Sequence, residues 1–213
     1  MLREDIILPY VKDKHVLDCG SVDHYFHAEK RQNGEWLHAS IARHAKSCLG
    51  VDILADRIAD INRLGTYRFV DANVENLPFD REFDVIVAGE LIEHVYNAGL
   101  FIDSAWRALR DDGILIITTP NYHAFSTVWS SVIRGKEICH EEHTCYYSKQ
   151  TLEYLIHRHG FTPIRFHIVK RRARTRLRQC VRDIMHRMRP CLGEQLVLVA
   201  KKQSRQDKYS GKW

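Results

Sequence analysis

The feature that most constrains this chain is a repeated unit in which a short apolar run ends on an acidic residue and is followed by apolar residues at helical spacing. Residues 15–20 read as a first strand, with Val16 and Leu17 ahead of the turn-prone Cys19-Gly20-Ser21. From Trp36, the positions Leu37, Ile41, Ala42 and Ala45 keep a helical period, and residues 47–51 give a second strand ending at Asp52. Leu54, Ile58, Ile61 and Leu64 then share one helical face closed by Gly65, and residues 67–70 give a strand ending at Asp71. Residues 83–88 form the next strand, with Glu90 just beyond it. A helix over 97–109 follows, then a turn at Asp111-Asp112-Gly113 and a strand over 114–119 stopped by Pro120. Strands and helices alternating at this spacing require right-handed crossovers and a parallel sheet covered on both faces. The expected fold class is α/β, a doubly wound, mostly parallel sheet.

Beyond Pro120 the reading is a loop or short helix at 122–133, a His-rich stretch at 140–148, a helix over 148–159 capped by Ser148 and closed by Gly160, and two final strands at 161–169 and 195–200. With 213 residues, 45% of them hydrophobic and 28% charged, the chain can bury one full core, which excludes disordered and mini-protein readings. The expected organisation is one domain over 1–202, carrying a basic helical insertion at 170–192, and a polar tail at 203–213. Six cysteines without a CxxC pair, no secretory leader and no membrane-length apolar run predict reduced thiols and a cytoplasmic location.

The formal charge of +5 is unevenly placed. Residues 170–189 hold nine basic side chains, from Lys170 to Arg189, and one acid, Asp183, a net of +8 that leaves −3 for the remainder. Within that segment Leu177, Cys180, Val181, Ile184, Met185 and Met188 form an apolar stripe at helical spacing, with arginines on the other faces. Three readings stay open for this amphipathic basic helix: a membrane-surface element at an anionic lipid face, an RNA-phosphate surface, or a stripe packed on the domain or on a twin subunit, in a monomer or a homodimer. No basic-aromatic RNA-binding module is visible, which ranks RNA below a lipid-linked or sugar-phosphate acceptor.

Open parallel sheets bind ligands beyond the carboxyl ends of their strands. Those ends carry Asp18-Cys19-Gly20-Ser21, Asp52-Ile53, Asp71-Ala72 and Glu90. An acid ending the second strand suits two ribose hydroxyls, whose protons one carboxylate accepts. Downstream, Glu90-Leu91-Ile92-Glu93-His94 places Glu90, Glu93 and His94 where one helical turn brings them together, and His143 offers a further imidazole. This set can be a metal site, or His94 or His143 can be a metal-free general base, or Glu93-His94 can be a hydrogen-bonded pair shaping the loop.

Taken together, VLDCGS, LGVDI, FVDANVENLPF, FDVIVAGELIEHV, LRDDGILIITTPN and HTCYYSKQTLEYLIHRHGF resemble the Rossmann-like, class I S-adenosylmethionine-dependent methyltransferases over about residues 16–161. The resemblance implies that fold with a final antiparallel strand, and S-adenosyl-L-methionine as cofactor. By position it assigns Asp18 and Gly20 to the methionine part, Asp52 to the ribose, Asp71 and Ala72 to the adenine edge, and Glu90 to the region of the transferable methyl, with Ser21 and Ile53 as further cofactor-binding candidates. The first loop departs from the family, with Ser21, Val22, Asp23 and His24 where a Gly-rich turn is expected. The ExxEH pattern with a later His resembles two metal-dependent groups, the ubiquinone-biosynthesis O-methyltransferases and the small-RNA 3′-end 2′-O-methyltransferases. That implies a divalent ion (Mg, Mn, Fe or Zn) on Glu90, Glu93, His94 and His143, with Glu90, His94 and His143 as the catalytic candidates. The expectation is O-methylation of a small or carrier-linked hydroxyl compound, such as a glycan, a quinone-like phenol or a lipid-linked sugar, by a cytoplasmic enzyme that can sit peripherally at a membrane. The alternatives are a 2′-O-methyltransferase of RNA and a non-catalytic scaffold that has lost its cofactor through the altered first loop.

Overall fold

The computed structural model describes residues 1–22, 36–171 and 176–204. Asp23 and His24 of the first loop, the loop at 25–35, Arg172, Arg174 and the tail from 205 lie outside the described residues, as do the side chains of Leu177, Arg178 and Val181. Seven strands, β1 His15–Cys19, β2 Ser47–Asp52, β3 Arg68–Asp71, β4 Phe83–Gly89, β5 Leu109–Pro120, β6 Phe161–Val169 and β7 Gln195–Lys202, form one sheet in the order β3-β2-β1-β4-β5-β7-β6. The first five pair in parallel, and β7 lies antiparallel between β5 and β6. The fold class is thus the expected doubly wound α/β sheet with an antiparallel final strand.

Each central strand feeds two cores, because successive side chains point to opposite faces. Leu17, Ile86, Leu115 and Leu198 pack on one face beneath the helices α4 Ala98–Ala108 and α6 Lys149–Arg158, with Phe101, Ile102, Leu152 and Ile156 pressing down. Their neighbours Val16, Val85, Ile116 and Val197 pack on the other face against α1 Arg3–Val11 and α2 Leu37–His44 through Ile7, Val11 and Ile41. Fully burying each such side chain contributes about 1.5–3 kcal/mol. The helix α3 Ala55–Arg63 covers the β2–β3 end through Ile58 and Ile61 against Phe69. Two further helices are α5 Phe125–Arg134 and α7 Arg176–Met188, and none of their described side chains belongs to these three clusters.

No element was expected before β1, and three local expectations need correction. The segment before β1 forms α1, whose apolar face (Ile6, Ile7, Val11) is short and interrupted by Pro9. Leu109 belongs to β5, not to the preceding helix. Asp111-Asp112-Gly113 is not a turn between elements but an irregularity within β5, where the register shifts between Phe83↔Leu109 and Val85↔Ile114 and Asp112 takes a left-handed φ of 61°. Finally, α5 begins at Phe125 and ends at the left-handed Gly135. None of these moves the carboxyl ends of the parallel strands, where the functional residues were expected.

Candidate active site

β1 and β4 are neighbours, yet the chain leaves β1 toward β2 and leaves β4 toward β5, so their carboxyl ends part. Ligands of open α/β sheets bind at such a switch point. A cleft of about 1270 Å³ opens there, lined at one end by Asp18, Gly20, Ser21, Asp52 and Ile53 and at the other by Glu90, Glu93, His94 and His143.

At the first end Gly20 adopts φ +66°, and a Cβ there would stand 2.5 Å from Leu91 Cδ1, so the backbone comes close to the loop after β4 only because this residue is glycine. Asp18 is buried with its Oδ2 2.9 Å from His38 Nδ1, a partner on α2 that sequence reading missed because a histidine between Leu37 and Ile41 carries no signal of its own. Asp52 holds Val22, at the described start of the altered first loop. Its Oδ2 accepts the Val22 N–H at 2.9 Å, while its Oδ1 accepts those of Ile53 at 2.8 Å and Leu54 at 3.3 Å. Val22 is buried, and Ser21 Oγ is buried in the cleft without a hydrogen-bond partner. An orphaned hydroxyl beside a glycine-only approach is a place for a ligand's polar group. Asp71, by contrast, is exposed, and neither it nor Ala72 lines the cleft. The wall there is Asn73, Val74 and Glu75, on a single helical turn capped by Asn73, inside the motif FVDANVENLPF but with no site role expected of them.

At the second end the loop after β4 carries Glu93, His94 and His143 into one group, with one ligand atom of each lying within 4.8 Å of the others. Glu93 is buried, and its Oε2 accepts from Thr119 Oγ1 at 2.8 Å while its Oε1 has no partner. Burial pushes its carboxyl up to about 7. His143 stacks edge-on to His94 with ring centroids 4.7 Å apart, and burial, together with His94 and His140, lowers its pKa. Thr144 holds the His-rich loop in place, its N–H on Glu93 O at 2.8 Å and its Oγ1 on Val95 O at 2.9 Å. One buried carboxylate oxygen and the His143 Nδ1, both unpartnered, beside a second imidazole make a donor set suited to a divalent ion.

Glu90 does not join that group. It sits at φ 56°, its Oε1 accepts from Gln195 Nε2 at 2.7 Å and from Thr118 Oγ1 at 3.3 Å, and its Oε2 pairs with Arg171. The left-handed backbone turns this carboxylate toward β5 and β7, so the convergence expected of one regular helical turn does not occur. Arg171, at the start of the basic segment, and Arg182, whose Nε lies 2.5 Å from Glu194 Oε1, close the cleft on that side.

Comparison with known proteins accords with this geometry. Residues 7–165 match the family model described as a methyltransferase domain. A "Probable S-adenosylmethionine-dependent methyltransferase" of Mycobacterium tuberculosis is 33% identical over 88 residues, covering 40% of this chain and 32% of that protein. A similarly described protein of Mycolicibacterium smegmatis is 32% identical over 90 residues, 40% of this chain and 34% of its own. The matched region thus spans about a third of the length of these curated relatives. Among solved structures, a SAM-dependent methyltransferase from Archaeoglobus fulgidus superposes with a TM-score of 0.65 at 17% identity, covering 94% of this chain and 91% of that one. The Burkholderia thailandensis 1,6-didemethyltoxoflavin-N1-methyltransferase, solved with bound 1,6-didemethyltoxoflavin and S-adenosylhomocysteine, superposes with a TM-score of 0.60 at 17% identity, covering 94% of this chain and 76% of that one. With the family model matched over most of its length and the seven-stranded sheet in place, the chain belongs to the methyltransferase-domain family, in its Rossmann-like fold.

Proposed function

We propose that this protein is an S-adenosylmethionine-dependent O-methyltransferase acting on a hydroxyl of a small or carrier-linked acceptor. The observation that carries the reading is the continuity of one cleft from Gly20, Ser21 and Asp52 to Glu93, His94 and His143. A cofactor held by its ribose at Asp52 and by its methionine part at Gly20 and Ser21 directs its sulfonium toward the second group. The sulfonium is already a good leaving group, so the protein has two tasks, aligning the acceptor oxygen and removing its proton. Without an ion, His143, kept neutral near pH 7 by its surroundings, is suited to take that proton, and the ionised fraction of Glu93 beside it can accept it in turn; with an ion on these residues, the ion's effect on the hydroxyl would replace this role.

Glu93, His94 and His143 would hold a divalent ion, which when bound lowers the pKa of an acceptor hydroxyl. Glu90 has a separate role in this reading: with Gln195 and Arg171 it shapes the wall of the cleft.

A thermal-unfolding titration with S-adenosylhomocysteine tests the cofactor half, since a ligand at a hundred times its Kd adds about 2.7 kcal/mol. A saturable rise in melting temperature is expected, and none at millimolar ligand would overturn the reading in favour of a scaffold. Methyl transfer to hydroxyl acceptors with and without added metal tests the other half. His143→Ala should abolish metal stimulation while the S-adenosylhomocysteine shift stays, and an unchanged metal response would remove the ion from the scheme.

A further inference from the structure

The helix α5 is built inside out. Its inward side buries Ser130, whose Oγ donates to Lys136 O at 2.8 Å, while Val128, Trp129, Val132 and Ile133 are 40%, 50%, 74% and 59% exposed. Their spacing puts all four on one helical face. Ile138, 52% exposed, follows just past the helix. Scattered apolar residues on a surface are ordinary, but four on one face of a ten-residue helix are a contiguous patch of the kind that marks an interaction site.

This patch has a neighbour. Asn121, just ahead of α5, donates its side-chain amide to Cys191 O at 2.9 Å and Gly193 O at 2.6 Å, in the segment leaving α7. Ser126 and Thr127 of α5 and Arg182 of α7 line the same cleft. On α7, Ile184 and Met188 are 53% and 67% exposed beside the exposed Arg187 and Arg189. At the far end of α5 stand Arg134 and Lys136, with the acid Glu137 next to them, all exposed. Apolar side chains including a tryptophan, with arginines close by in sequence and on two helices that each carry cleft-lining residues, have two chemistries to satisfy at once, hydrocarbon and anion.

We propose that α5 and α7 together dock on an anionic lipid bilayer, with the cleft mouth facing the headgroups. The inference rests on the functional reading above and narrows its acceptor to one anchored in lipid. Aliphatic Val132 and Ile133 gain nothing from RNA phosphates, which need cations and stacking surfaces instead. A second copy brought face to face would set Arg187 and Arg189 against cations of the same kind. A bilayer with acidic headgroups rewards both halves of the surface.

The test uses the full chain and vesicles of phosphatidylcholine alone or mixed with phosphatidylglycerol, with co-sedimentation as readout. The expected result is pelleting with the mixed vesicles only, weakening as salt rises. The exposed pair Val132→Asp and Ile133→Asp should cut vesicle affinity about tenfold or more with the melting temperature unchanged, and Arg187→Glu with Arg189→Glu should do the same. Absence of binding to the mixed vesicles overturns the proposal. So does binding indifferent to the aspartates, or a dimer in sedimentation that the aspartates dissolve, or short RNA that competes the protein off vesicles while its own binding survives the aspartates. The S-adenosylhomocysteine shift, measured in parallel, separates the two readings: its loss with vesicle binding intact removes the enzyme and leaves the docking surface.

Discussion

His38 Nδ1 stands 2.9 Å from Asp18 Oδ2, and neither side chain reaches solvent. The contact ties α2 to the end of β1, one residue before the backbone turns toward the cleft. Removing either partner strands the other in a buried site, so Asp18→Ala and His38→Ala should each lower stability in urea by about 2–4 kcal/mol. The double variant should lose less than the sum, with a coupling above about 1 kcal/mol. Strict additivity would mean that the pair contributes no more than its separate packing.

Asp52 serves the loop before it serves any ligand, since it accepts the N–H groups of Val22, Ile53 and Leu54. Asp52→Ala should therefore cost about 1–3 kcal/mol in denaturant unfolding and also erase the thermal shift with S-adenosylhomocysteine. A variant that loses stability but keeps the full shift would restrict Asp52 to holding the start of the loop.

Gly20→Ala meets two obstacles, the left-handed backbone at φ +66° and the Leu91 side chain 2.5 Å from the new Cβ. Together they should destabilise by about 1–3 kcal/mol. Adding Leu91→Ala relieves the contact but not the backbone, so urea midpoints should recover in part. Full recovery would show that the backbone conformation costs nothing.

Glu93 gives a pH dependence of definite sign. Burial raises its carboxyl from an ordinary 4.5 to about 7, so the folded state holds a proton that the unfolded chain gives up. The contribution is complete below pH 4.5 and is lost as pH rises through about 7. In chelator, stability should fall by up to about 3 kcal/mol across that window and flatten above it. Glu93→Gln should remove this slope, and a slope that survives the substitution would assign it to another group.

Much of this was legible in the sequence because the sheet is written in period two and its covering helices in a 3.6 period, and the strand ends announce themselves as Asp18, Asp52, Asp71 and Glu90. What escaped was long-range. Nothing local in Glu90-Leu91-Ile92-Glu93-His94 says that the first glutamate will turn to Gln195, more than a hundred residues on, while Glu93 turns to Thr119. His38 and Thr144 were invisible for the same reason, since each matters through a partner on another element. The outward face of α5 was unreadable because amphipathic spacing reports that a helix has an apolar side but not whether that side finds a core. At α1 the pattern itself was weak, with Pro9 inside a single short helix.

Val169 and Gln195 sit opposite each other as one register pair of β6 and β7, so the basic element between them leaves and rejoins the sheet at a single point. Its two ends are held together by the pairing of β6 with β7. A tight turn in its place would leave the pairings of β1 and β2, where Asp18 and Asp52 are rooted, and would take from Glu90 its partner Arg171 and from Asn121 the carbonyls of Cys191 and Gly193. Such an exchange would take Arg171 and Arg182 out of the cleft wall, while Asp18 keeps His38 and Asp52 keeps the N–H groups of Val22, Ile53 and Leu54.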